Sequence, residues 1–312
     1  MPAFRIKKFL RNTRNLLNQP KSWLLGKVSS TDYWTWKNVT AHTQFQTRQE
    51  SLDFLEWRNG KYIDYAGLMP LAGHDGKVVL DYGCGPGHDL VGFAEYSRPA
   101  KVIGMEVSKT SLAEAKERLE LHKPHNVDFV SISETEQRLP LDDRSVDYIH
   151  SSGVLHHIPE AGMENVIREF ARILRPSGAA RIMVYNRDSV WFHLFVAYIR
   201  RLVDGDDANV PIEDSFRKNT DGPNCPISRC YHPEEFIAIA RKCGLIGSFL
   251  GAAIATDEME ILSSRFRAMD DRRLEREHRD FLLGLRFNDR GLPLHNGHVA
   301  GIDGVFEFRT AP

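Results

Sequence analysis

Several things are scarce in this 312-residue chain, and each scarcity excludes a class of protein. There are four cysteines, Cys84, Cys225, Cys230 and Cys243, with no CxxC spacing and no paired histidine ligands beside them. That pattern is neither a disulfide framework nor a zinc ribbon, so a reducing compartment and no metal site are expected. Charge of one sign is scarce too: the net charge is −1, which denies the whole chain an electrostatic footprint for DNA or RNA. No apolar run reaches the ~20 residues of a spanning helix. The nearest approach is VWFHLFVAYI at 190–199, expected to be buried under a cap. The start of the chain lacks the apolar stretch and small-residue cleavage site of a secretory signal, and a cytoplasmic location is expected.

The basic residues are unevenly placed. Arg5, Lys7, Lys8, Arg11, Arg14, Lys21 and Lys27 precede the first acid, Asp32, and Phe4, Phe9, Leu10, Leu16 and Leu17 recur at roughly helical spacing. The favoured expectation is a helix docked on its own domain; the alternative is peripheral contact with anionic lipid. From Thr31 to about Leu71 the chain is rich in aromatics and reads as helices with one buried side. Beyond it, strand candidates at 77–83, 101–107, 127–133, 146–152 and 180–186 alternate with helical stretches. This is the pattern of right-handed βαβ units, giving a doubly wound, mostly parallel α/β sheet with helices on both faces. Arg-Pro-Ser-Gly after Leu174 reads as a helix stop and turn. Later, 232–244 reads as a helix, LIGSFLGAAI as a strand, about 258–285 as a charged helical segment, and GIDGVFEFR as a strand after an Asp-Gly turn. The expected organisation is a helical cap over 1–70, a ligand-binding core over 71–187, and cap insertions with the last helix and strands of the sheet over 188–312.

The strongest chemical signal is VVLDYGCGPGHD at 78–89. A hydrophobic strand runs into Gly83, Gly85 and Gly87, residues that tolerate positive φ and let backbone N–H groups approach a ligand. Asp81 lies at the strand end, where open α/β sheets bind ligands. In VIGMEVS, Glu106 closes the next strand, placed to accept both ribose hydroxyls of an adenosine. The glycines read GxGxG rather than the GxGxxG of a nicotinamide site, which demotes an oxidoreductase.

These two segments, followed by LPLDDRSVDYIHSSGVLHHI and REFARILRPSGAARIMVYN, resemble class I S-adenosylmethionine-dependent methyltransferases, nearest to those acting on ubiquinone, menaquinone and natural products. The resemblance implies S-adenosylmethionine as cofactor, with Gly83, Gly85 and Gly87 around its methionine part, Asp81 facing that part, Glu106 on the ribose and Val107 against the adenine. The family's Asp before "LP" is missing, and Glu134 or Thr135 substitutes for it. Ser151 matches a position that lines the cofactor. Methyl transfer is an in-line displacement that mainly needs alignment. His156 and His157 follow the fourth strand and are the candidates for a base, one of the pair acting. Tyr33, Trp34, Trp36, Tyr62, Tyr185, Asn186, Arg187, Arg229, Tyr231 and His232 are candidates for the acceptor site, the two arginines for a carboxylate or phosphate. The expected acceptor is an oxygen or nitrogen, ahead of carbon, of a small molecule, with a lipid-linked one among the candidates, and not a nucleic acid, since the fourth strand ends in SSGVLHH. A nicotinamide-dependent oxidoreductase and a non-catalytic cofactor-binding partner protein are the competing readings.

Overall fold

A computed structural model describes residues 29–36, 44–124 and 126–311. The basic N-terminal stretch lies outside the described residues, and with it the expectation of a docked or lipid-facing helix. The helices before the sheet are α1 (Ser30–Trp36), α2 (Arg48–Lys61) and α3 (Tyr65–Leu68). The α2 helix is capped by Thr47, whose hydroxyl accepts from the backbone N–H of Glu50.

The main sheet contains β1 (Tyr62–Ile63), β2 (Val78–Tyr82), β3 (Lys101–Glu106), β4 (Val127–Ser131), β5 (Val146–Ser152), β6 (Leu174–Asn186), β7 (Cys230–Tyr231), β8 (Leu245–Ala255) and β12 (Asp303–Thr310). Their order is β1-β8-β12-β6-β5-β2-β3-β4, with β7 beside β6. From β6 to β4 the neighbours are parallel, while β12 runs antiparallel to both β6 and β8. This is the mostly parallel, doubly wound sheet expected. The helices α4 (His88–Tyr96), α5 (Lys109–Glu120), α6 (Glu160–Ile173), α7 (Ile212–Thr220) and α8 (Pro233–Lys242) follow in chain order.

Side chains alternate across the strands, so the sheet has two cores. Leu80 and Ile103 pack with Met163, Ile167 and Phe170 of α6 and Phe236 of α8. Val79 and Val102 pack on the other face with Leu55 of α2, Leu90 and Phe93 of α4, and Leu112 and Leu119 of α5.

Three local expectations change. Arg-Pro-Ser-Gly is not a turn: β6 begins directly at Leu174, with a register irregularity against β5 between Val146 and Tyr148 that absorbs it. Asp303 and Gly304 are already strand, paired with Tyr185 and Val184. The charged 258–285 segment is broken into Thr256–Ile261, Leu262–Ser264, Arg265–Asp270 and Arg276–Gly284. A small sheet of β9 (Arg286–Phe287), β10 (Pro293–His295) and β11 (His298–Val299) follows it.

The aromatic stretch near 190 forms a π-helix, Trp191–Val203, whose end closes with Asp204 N–H donating to Ile199 C=O at 2.8 Å. Leu194, Ala197 and Tyr198 bury against Ala268, Leu274, Phe281 and Leu282 of the broken helices. Among the described residues, no helix is long and apolar enough to cross a membrane.

Candidate cofactor and acceptor site

The loop after β2 is built to bring backbone close to a ligand. Gly83 has φ +76°, and its N–H donates to Met105 C=O at 2.8 Å, tying the loop to β3. A Cβ on Gly83 would lie 2.2 Å from Val154 Cγ2, so nothing larger fits. Gly85 has φ +51°, and its Cβ position meets no atom within 4 Å, because it faces a cavity of about 370 Å³. Gly83, Gly85 and Pro86 line that cavity. Gly87 does not: it caps α4 at φ +82°, and a Cβ there would meet Ala115 Cβ at 3.1 Å, so its role is close packing of α5.

Glu106 is 7% exposed at the end of β3 and lines the cavity. Its Oε2 accepts from Gly85 N–H at 3.0 Å and its Oε1 from Ser108 N–H at 2.8 Å. Burial raises this carboxyl, and the backbone N–H groups of Ser108, Gly85 and Val107 oppose the rise. A carboxylate has about four lone-pair sites, so with three backbone N–H groups on it acceptor capacity remains for one further donor. Beyond it Val107, Ile132 and Leu139 supply apolar walls, and Ser133, Glu134, Thr135 and Gln137 supply a polar edge.

The α1 helix covers this cavity. Ser30 and Trp34 line it, Thr31 N–H donates to Glu134, and the hydroxyls of Thr35 and Ser108 lie 3.2 Å apart. Trp34 also packs against His157, with ring centroids 4.5 Å apart and the planes tilted by 58°.

Asp81 lies beneath the loop rather than in the cavity. It is 2% exposed, its Oδ2 finds no hydrogen-bond partner among the described residues, and burial raises its carboxyl. Its neighbour Asp89 takes the Arg58 guanidinium of α2 and lies 3.1 Å from His150 Nε2. Although burial opposes it, Arg58 with His150 holds the Asp89 carboxyl well below the usual range. Ser151 is likewise fully buried, with its hydroxyl unpartnered among the described residues; Ser152 and Gly153 line the cavity in its place.

The two histidines part ways. They occupy a 3₁₀ turn, Leu155–His157. His156 is completely buried, stacks on Tyr185 at 3.9 Å and accepts from Tyr185 N–H at 3.3 Å. Burial drives its basicity down, far from that of a useful base. His157 lines the cavity. Its Nδ1 donates to Ile227 C=O at 2.7 Å, and its Nε2 lies 3.9 Å from Asp221 Oδ1.

The acceptor candidates scatter. Tyr33 is buried and donates its hydroxyl to the Asp221 carbonyl. Trp36 ends α1, and its side chain lies outside the described residues. Tyr62 forms the edge strand paired with Ala255, away from the cavity. Arg187, Arg229 and Tyr231 do converge, on a second cavity of about 710 Å³. Arg187 is already met by Glu213 at 3.4 Å and Glu277 at 3.5 Å, and Arg229 by Glu160 at 3.9 Å, so an anionic group would have to displace carboxylates. Ser228 lines this cavity and donates to Asp221 Oδ2 at 2.6 Å. Asp221 thus lies beside one lining residue of each cavity, His157 of the first and Ser228 of the second. It went unnoticed in the sequence, as did Arg58: a lone acid in a polar loop and a lone arginine in a charged helix carry no pattern.

Residues 79–178 match the family described as Methyltransferase domain. An uncharacterized methyltransferase of Synechocystis is 30% identical over 40% of this chain and 54% of its own length. The 27-O-demethylrifamycin SV methyltransferase of Amycolatopsis mediterranei is 33% identical over 36% of this chain and 39% of its own length. The match therefore spans about half or less of these curated relatives. A chain from the Haloferax volcanii complex of the Trm112 methyltransferase activator with a methyltransferase aligns over 91% of this chain and 96% of its own, with a TM-score of 0.52 and 15% identity, a likeness of fold. The glycine loop and the acid closing β3 both lie within the matched segment, and over residues 79–178 the chain is similar to the methyltransferase domain.

Proposed function

We propose that the chain transfers a methyl group from S-adenosylmethionine to an oxygen or nitrogen of a small-molecule acceptor. The observation that carries this reading is the cavity at the carboxyl ends of β2 to β5, with Gly85 open toward it and Glu106 on its wall. The residues fit the cofactor: Glu106 has a spare lone pair for a ribose hydroxyl, Val107, Ile132 and Leu139 enclose a flat apolar ring, and the polar edge from Ser133 to Gln137 suits its amino group. The cofactor, when bound, supplies an electrophilic methyl on a sulfonium.

The protein's own work is then binding and alignment. The Gly83–Gly85 backbone holds one end, Glu106 fixes the sugar, and Trp34 with α1 excludes water. Of the two histidines only His157 touches the cavity, and we assign the acceptor to its side. The Amycolatopsis relative, by its name, methylates an oxygen of a small molecule, which favours the same acceptor class here.

Calorimetry with S-adenosylhomocysteine tests the cofactor, with saturable heat expected for the full chain and loss of it in Gly85→Arg. A labelled-methyl assay on cell extract, read by mass spectrometry, then finds the acceptor. Heat with a nicotinamide dinucleotide and none with S-adenosylhomocysteine would overturn the proposal in favour of the oxidoreductase.

A further inference from the structure

We propose that His157, Asp221 and Cys225 hold a zinc ion at the acceptor end of the cofactor cavity. The imidazole nitrogen, carboxylate oxygen and sulfur of these three residues lie within 4.8 Å of one another. They come from two segments far apart in sequence, the 3₁₀ turn after β5 and the loop after α7. No local spacing announces the set: the carboxylate is 64 positions beyond the histidine (221 − 157) and only the D-x₃-C pair is local.

The hydrogen bonds around the cluster point to a cation. A carbonyl only accepts, so the 2.7 Å contact to Ile227 C=O puts the hydrogen on Nδ1 of His157. In the neutral ring Nε2 then offers a lone pair, and 3.9 Å away stands a carboxylate oxygen, another acceptor. Two acceptors face each other at a separation too long for a hydrogen bond, beside a sulfur. A metal ion among them would draw a lone pair from each.

The outer contacts have the form that orients metal ligands. A backbone carbonyl fixes the ring of His157, while Asp221 Oδ1 accepts from Tyr185 hydroxyl at 3.1 Å and Oδ2 from Ser228 hydroxyl at 2.6 Å. The Cys225 thiol donates to the same Ile227 carbonyl at 3.2 Å. When metal ligation releases that thiol's proton to solvent, the carbonyl keeps the hydrogen of His157. Arg217 pins the loop by donating to the carbonyl of Cys225 at 2.6 Å.

Two other buried clusters lack this character. Near Asp81, the cation is already present as Arg58 on Asp89, and His150 bonds to that same carboxylate. At His193 and His278 the two Nδ1 atoms are 2.8 Å apart and bond to each other, with Arg187 on the adjoining Glu277.

Mixed nitrogen, oxygen and sulfur donors suit zinc, and three protein ligands leave one position for an exogenous atom. Because His157 lines the cavity, that position is where an acceptor oxygen or nitrogen would bind. This last assignment rests on the methyltransferase reading; the metal site itself does not.

Cobalt(II) titration of the full chain after chelator treatment tests the site. The expected result is saturation at one equivalent, with intense visible bands of four-coordinate cobalt and a near-ultraviolet thiolate band. Cys225→Ser abolishes the thiolate band while the heat with S-adenosylhomocysteine, which reports folding, is retained. Should Cys225→Ser fail to fold, Tyr185→Phe serves: it removes an outer contact and lowers zinc affinity about 10–100-fold. A wild-type chain with no saturable cobalt spectrum, a thiolate band that survives Cys225→Ser, or zinc affinity unmoved by Tyr185→Phe overturns the proposal. Cofactor heat with silent cobalt refutes the metal site alone; saturable cobalt without cofactor heat refutes the methyltransferase reading alone.

Discussion

Gly83→Ala separates two costs that usually arrive together. Gly83 and Gly73 have nearly the same backbone, φ +76° and +83°. A Cβ on Gly73 meets nothing within 4 Å, whereas one on Gly83 falls 2.2 Å from Val154 Cγ2 and 2.8 Å from Cγ1. The left-handed conformation alone costs an L-residue about 1–2 kcal/mol, so that is the expected loss for Gly73→Ala. The overlap with Val154 adds overpacking of about 1–3 kcal/mol, because Val154 sits against the core and cannot swing freely. Gly83→Ala should therefore lose about 2–5 kcal/mol, measured by urea denaturation. In a Val154→Ala background the methyl groups that collide are gone, and the loss should fall to that of Gly73→Ala. The double-mutant cycle reads the coupling directly. Cofactor affinity should follow the same order, since the strained loop carries Gly85 to the cavity. Equal losses for Gly83→Ala and Gly73→Ala in the wild-type background would refute the reasoning, because they would show that Val154 does not press on the loop.

Three further outcomes follow from the geometry. Glu106→Ala strips the loop of its tie to Gly85 N–H and removes the sugar's acceptor, so calorimetry with S-adenosylhomocysteine should weaken by ~10–100-fold, the worth of one or two charged hydrogen bonds. His157→Ala should abolish turnover with little change in the melting temperature, while His156→Ala, which empties a fully buried site stacked on Tyr185, should lower the melting temperature first. Glu258 is fully buried, and burial pushes its carboxyl from 4.5 up to about 8 against the backbone N–H groups of Ala255, Ile302 and Trp191. The folded chain thus keeps a proton that the unfolded chain has lost, and stability should decline as pH rises from about 4.5 to about 8. Melting curves across that window check the slope, and Glu258→Gln should flatten it; an equal slope in the variant would remove Glu258 as its source.

What could be read from the sequence was what the chain encodes locally. A glycine loop directly after a strand, and an acid closing the next strand, are fixed by neighbours in sequence, and Gly85 and Glu106 do line one cavity. The βαβ rhythm fixed the sheet for the same reason. Where the reading ran out, direction was the missing quantity. Asp81 is the fourth of five residues in β2, and its spacing is the same whether the carboxyl enters the cavity or sinks beneath the loop; Arg58 and Asp89, from two different helices, make the second outcome a buried charge network. Gly87 looks like its two predecessors until α5 is packed against it.

The paired histidines show the limit most plainly. A 3₁₀ helix turns about 120° per residue, so adjacent side chains cannot share a face. One of the two must therefore point into the sheet, where Tyr185 receives His156, and the other toward the cavity, where Trp34 and Asp221 receive His157. Had the turn been known from the sequence, the split would have followed, but not which histidine went where. That is settled by groups on α1, on β6 and in the loop after α7, all remote in the chain. The cofactor half of the site is thus written in a contiguous stretch of sequence. The acceptor half is assembled only by folding, and for that reason its chemistry has to be sought in contacts such as those of Asp221 with Tyr185 and Ser228.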